Sequence, residues 1–124
     1  MAVIDSDFAK EFATEWVAAW NSHDLERIFR HYVDDFEMRS PLIAERGFSP
    51  TGVLTGKDAI RPYWSAGIAS ANPPIVFELL DVYAGINTVA IRYRSVGRRL
   101  VTEILTLDDE RRIIAGSACH GPPA

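Results

Sequence analysis

The chain is predicted to be an α+β domain, three helices in its first half packed on one curved antiparallel sheet from its second half. Three observations predict this. Phe8, Phe12, Trp16 and Trp20 recur every four residues, the spacing of one helix face. From Ile75 onward the chain reads as four strands separated by hairpin-sized gaps. The length of 124 residues, with 48% hydrophobic content, suits one domain spanning residues 1–124. A chain of this size buries roughly two-thirds of its unfolded surface, so it needs no disulfide staple. Helices followed by a run of strands call for one sheet covered by the helices, with a cone-shaped cavity between the layers.

The elements follow in order. Ala9, Ala13 and Val17 flank the aromatic stripe and give a first helix over about residues 6–20, ended by Asn21 or Ser22. His23 and Asp24 lead into a second short helix with Leu25, Ile28, Phe29 and Tyr32 inward, forming a hairpin with the first. Beyond Asp34 and Asp35 the pattern alternates, Phe36, Met38 and Ser40 against Glu37 and Arg39, until Pro41 stops a short strand. A long loop is expected next, punctuated by Gly47, Pro50, Gly52 and Gly56. A third helix begins near Lys57 or Asp58 with Ile60, Tyr63, Trp64 and Ile68 inward, its regular part expected to start just before Pro62. The four strands are expected at about 75–83, 87–96, 99–107 and 111–119.

Composition excludes several classes. With 17 acidic against 13 basic residues, the net charge of −4 argues against a nucleic-acid binder, whose affinity rests on neutralising phosphates. Arg92, Arg94, Arg98, Arg99, Arg111 and Arg112 lie late in the chain and pair up at turn-like positions, as residues of solvated faces and turns do. No apolar run approaches a membrane span and no leader pattern opens the chain, so no membrane partner and a cytoplasmic location are expected. Cys119 is the single cysteine. His23, His31 and His120 lack ligand spacing, and neither a phosphate-binding loop nor a dinucleotide turn is present, so no metal and no cofactor are expected.

Glu103 is the most informative residue. In its strand it shares a face with Val101 and Leu105, opposite Leu100, Thr102, Ile104 and Thr106. Facing the core it would lose hydration and its pKa would rise, as a general acid requires; facing outward it would be an ordinary ion-paired glutamate. Alternation alone does not choose between the faces. Trp16, Trp20, Tyr32, Phe36, Tyr63 and Trp64 serve either packing or a ligand pocket, since buried Trp and Tyr need partners for their polar tips. Cys119 and His120, adjacent on an extended chain, point to opposite sides and do not activate one another. Both faces of the strand around Glu103 are apolar, which calls for a cover on the outer face and predicts a homodimer through the sheet.

The stretch from Glu15 to Leu25, EWVAAWNSHDL, resembles the nuclear transport factor 2-like superfamily, as do Tyr32-Val33-Asp34-Asp35, Ser40-Pro41, Gly56 to Arg61 and Glu103 to Glu110. The nearest branches are the ketosteroid isomerases and the SnoaL-like polyketide cyclases, and the resemblance covers nearly the whole chain. It implies a cystatin-like cone with a deep pocket, commonly dimeric through the outer face of its sheet. It also implies roles. Ser40 stands where the isomerase has its Asp base, Trp16 where a Tyr donates to the substrate oxygen, and Trp64 where a supporting Tyr sits. Tyr32 is kept, and Glu103 stands at the second, protonated acid. The resulting expectation is an isomerase-, cyclase- or lyase-type enzyme acting on an uncharged, carbonyl-containing ring compound, a small apolar or aromatic molecule. Glu103 is its acid or base, and Trp16 and Tyr32 orient the carbonyl. Trp20, Phe36, Met38, Ser40, Tyr63, Trp64 and His120 are the expected substrate-binding residues. The alternative is a non-catalytic ligand-binding or dimerisation module of the same fold.

Overall fold

The structure, a computed structural model, describes residues 3–122. Helix α1 (Ser6–Ser22) is capped by Asp5, whose carboxylate accepts from the Phe8 N–H at 2.8 Å. It ends where His23 adopts a left-handed conformation and its N–H closes on the Trp20 carbonyl. Ala9, Phe12, Ala13, Trp16, Val17, Ala19 and Trp20 form its buried stripe. Asp24 then caps α2 (Leu25–Phe29) through two backbone N–H groups.

Tyr32 belongs not to α2 but to the first strand, β1 (Tyr32–Arg39). A buried position four residues after Ile28 suits the helix period and an inward strand position alike, so spacing does not separate the two. The segment expected as one loop contains a one-turn helix, α3 (Pro41–Glu45), and a short strand, β2 (Val53–Thr55). Ser40 caps α3, its Oγ accepting from the Leu42 N–H at 3.2 Å, and Pro41 takes the first helical position. Gly52 returns the chain at φ +76°, where an added Cβ would stand 3.2 Å from the Ser40 carbonyl oxygen.

Helix α4 (Lys57–Ser70) starts after Gly56 and runs straight through Pro62 instead of starting beside it. The carbonyl that Pro62 leaves without a helical donor belongs to Asp58; both residues are exposed, so water can serve it. Strands β3 (Glu78–Ala84), β4 (Thr88–Arg94), β5 (Leu100–Leu107) and β6 (Ile113–His120) follow. β3 begins later than expected because residues 75–77 are tied to the end of α1. The Asn21 amide exchanges two hydrogen bonds with the Phe77 backbone, at 2.7 and 3.0 Å, and His23 meets the Ile75 carbonyl. A single 3₁₀ turn (Val96–Arg98) joins β4 to β5.

The six strands form one sheet in the order β2-β1-β6-β5-β4-β3. It is mixed rather than wholly antiparallel, because β1 pairs with β6 in parallel. The helices cover one face. On β5 that face carries Val101, Glu103, Leu105 and Leu107, all buried, while Ile104 on the other side is 36% exposed. Among the described residues no helix is long and apolar enough to cross a membrane.

Candidate active site

Between helices and sheet lies a cavity of about 570 Å³, a size that suits a small organic ligand. Trp16 and Trp20 reach it from α1, Tyr32 and Met38 from β1, Tyr63 and Trp64 from α4, Tyr93 from β4, Glu103 from β5 and His120 from the end of β6; Ser40, between β1 and α3, also lines it. Phe36, expected to touch the ligand, does not line it. It is fully buried one layer behind, its ring 4.4 Å from that of Tyr32, because the space in front of it is taken by Tyr32 and Trp64.

Glu103 is buried, and the alternation ambiguity is resolved inward. In register it lies between Ile91 and Ala118, neither of which offers a charge. One polar partner reaches it: the Tyr93 hydroxyl donates to Oε1 at 2.9 Å. Oε2 is buried without a hydrogen-bond partner among the described residues. Burial raises the Glu103 pKa to about 7, while the hydrogen bond from Tyr93 works against the rise by favouring the carboxylate. The carboxyl therefore exchanges its proton near neutrality, and with Oε1 engaged as an acceptor, Oε2 is the oxygen that carries it.

The phenols around it are held protonated. Burial, and then the nearby Glu103, raise the pKa of Tyr32 and of Tyr93; burial also raises that of Tyr63, with the Ser40 hydroxyl opposing. Trp16 Nε1 donates to the Tyr32 hydroxyl at 3.0 Å. This changes the expected role of Trp16: its N–H is spent on Tyr32, so it positions the phenol rather than meeting a carbonyl itself. Tyr32, accepting from Trp16, keeps its own O–H to donate. The indole N–H of Trp20 is buried and favours the ionised form of the nearby Tyr32 phenol, but it completes no hydrogen bond of good geometry among the described residues. The cavity wall thus presents two polar atoms that complete no such bond, Trp20 Nε1 and Glu103 Oε2, which a ligand carbonyl could satisfy.

Ser40 is an N-cap and has no base beside it. His120 lines the cavity near its rim, where burial and then Arg99 push its imidazole below the ordinary range; Cys119 is exposed, on the opposite side. Tyr93 is the residue that sequence reasoning missed. Its alternation with Val89 and Ile91 marks an inward strand position, but its closeness to Glu103 depends on the β4–β5 register. Among the described residues no three His, Cys, Asp or Glu side chains gather where they could hold a metal ion.

No curated protein matches the chain in sequence. Among solved structures, a SnoaL-like protein of unknown function from Burkholderia thailandensis is 37% identical, with a TM-score of 0.92 over 98% of this chain and 100% of that one. The epoxide hydrolase/cyclase-like enzyme SalBIII, named for a role in pyran ring formation in the polyether salinomycin, shares the fold at 18% identity and TM-score 0.70, covering 94% and 93% of the two chains. A nuclear transport factor 2-like protein from Cytophaga hutchinsonii shares it at 11% identity and TM-score 0.68, covering 92% and 90%. The SnoaL-like domain model matches residues 13–118, which span every element from mid-α1 to β6, and the chain belongs to the SnoaL-like family.

Proposed function

We propose that the cavity binds a small ring compound carrying a carbonyl and that Glu103 moves a proton on it, as an isomerase or a cyclase does. The observation that carries this reading is Glu103 Oε2: a buried carboxyl oxygen without a partner, on a cavity wall, titrating near neutrality. The cyclase-like name of SalBIII, a protein of the same fold, is consistent with it.

The chemistry balances with the groups available. Ionised Glu103 removes a proton from the carbon beside the carbonyl, and the electron pair moves onto the carbonyl oxygen. Tyr32 O–H and Trp20 N–H donate to the enolate oxygen that develops. Glu103 then returns the proton to another carbon, shifting a double bond. Alternatively the enolate carbon attacks a second carbonyl of the same molecule, closing a ring, and Glu103 protonates the new alkoxide. The apolar walls from Trp64, Met38 and Val101 suit an uncharged ring at this depth.

The test is proton exchange, which both outcomes share as their first step, whatever the product. In deuterium oxide, NMR should show the protein accelerating exchange beside the carbonyl of at least one of a panel of 2-tetralones and cyclic β,γ-enones. Glu103→Gln should lower that rate by about 10²–10⁴-fold, the usual worth of a general base. Exchange by the variant at the parent rate refutes the role of Glu103.

One observation favours a second reading, a module that binds without turnover. Ser40 stands where a second carboxyl would be expected, and its Oγ accepts from the Leu42 N–H that it caps. Ligands that protect the fold against heat without any exchange would establish it. We also propose that two copies pair through the outer face of the sheet, where Ile104 and Ile114 are exposed.

A further inference from the structure

The rim of the cavity differs in character from its floor. Arg46, following α3, and Arg99, between the 3₁₀ turn and β5, both line it, and neither forms an ion pair among the described residues. Five other arginines of the chain are paired with carboxylates: Arg27, Arg39, Arg61, Arg92 and Arg94. Arg30, Arg98, Arg111 and Arg112 are also outside the ion pairs among the described residues, but of these six only Arg46 and Arg99 line the cavity.

Both are held in place by uncharged groups. The Arg46 guanidinium lies 6.0 Å from the ring centre of Tyr63, and Gly67 on α4 leaves room for it, since a Cβ there would stand 3.3 Å from Arg46 Nη1. Arg99 Nη1 donates to His120 Nδ1 at 3.3 Å. Accepting on Nδ1 places the imidazole proton on Nε2, so His120 offers one more N–H donor without adding charge, in keeping with its lowered pKa. Glu45, at the end of α3, is the acid facing this group; it is exposed and bonds to neither arginine.

We infer that the ligand is amphiphilic, an uncharged ring end buried toward Glu103 and an anionic group at the entrance held by Arg46 and Arg99. This rests on the small-molecule reading above and refines it, since only the buried end need be uncharged. The planar fork of arginine matches the oxygens of a carboxylate or a phosphate ester, and it keeps its charge at any physiological pH. The charge layout also orients the ligand. An anion carried inward would meet the ionising carboxyl of Glu103 in an apolar chamber, which opposes the reversed pose.

The inference is tested by calorimetry at pH 8 with three probes sharing one ring: 2-naphthol, 6-hydroxy-2-naphthoate and 2-naphthyl phosphate. At least one anionic probe should bind about tenfold more tightly than 2-naphthol, and which one does so identifies the anion. The preference should weaken with added salt and should fall below about threefold in Arg46→Gln/Arg99→Gln. Equal binding of 2-naphthol and both anions, or a preference that the double variant keeps, overturns the inference. The underlying reading is separately exposed by 2-naphthol with Glu103→Gln. Loss of neutral-probe affinity there supports a ligand at the cavity floor, whatever the arginines do. If none of the three probes binds at millimolar concentration, both the cavity reading and this inference fall.

Discussion

Tyr93 donates its phenolic hydrogen to Glu103 Oε1 across 2.9 Å, from the neighbouring strand and without any third group on the carboxyl. This one hydrogen bond determines which carboxyl oxygen carries the proton and how easily it leaves. Removing the donor withdraws support from the ionised form alone. Tyr93→Phe should therefore raise the Glu103 pKa further, by about one to two pH units, given the strength of hydrogen bonds to charged groups. Carbon-detected NMR of the glutamate carboxyl would follow it, and an unchanged midpoint would show that the bond does not couple to ionisation.

Stability should carry the same signature with a definite sign. Burial lifts the Glu103 pKa from its ordinary 4.5 to about 7, so the folded state holds the proton more tightly than the unfolded chain. The contribution of this residue to stability is greatest below pH 4.5 and is lost as pH rises to about 7, for a total of about 3 kcal/mol. Glu103→Gln, isosteric and uncharged, should remove that decline. Urea unfolding of both proteins between pH 5 and pH 8 checks it; parallel pH profiles would mean that Glu103 is solvated.

The Trp16–Tyr32 bond should act as a unit. Trp16→Phe and Tyr32→Phe each strand a buried polar group and should each cost about 1–3 kcal/mol. The double variant should cost less than their sum by about 1 kcal/mol. Additive losses in a double-mutant cycle would show that the indole and the phenol are independent, and Trp16 would then have no positioning role.

Association through the outer face predicts a two-fold dimer by light scattering at micromolar concentration. Ile104→Lys should shift it to monomer without unfolding, because Ile104 is 36% exposed whereas its sequence neighbours Glu103 and Leu105 are buried. A parent protein that is already monomeric would refute the pairing.

Local order is the legible part. The α1 stripe, the strand run and the Glu103 alternation with Val101 and Leu105 are all periodicities, and periodicity is set by neighbours along the chain. The short helix α3 has a local signal too, since a Ser-Pro pair marks a cap followed by a first helical residue, but the same proline equally marks the stop of a strand. Tyr32 is not separable, because helix and strand periods agree on its direction. The late start of β3 is not readable at all: it depends on Asn21, 56 residues away in sequence, holding the Phe77 backbone.

Fold class, the central carboxyl and the aromatic supply of the site all follow from residue type and spacing along the chain. The tertiary structure alone decided what those residues do. Sheet register brought Tyr93 to Glu103, docking of α1 turned the Trp16 indole onto Tyr32, and close packing moved Phe36 behind the cavity wall. Those choices rest on contacts between distant segments, and which partner a buried polar group finds is a property of the assembled layers, not of the chain's local pattern.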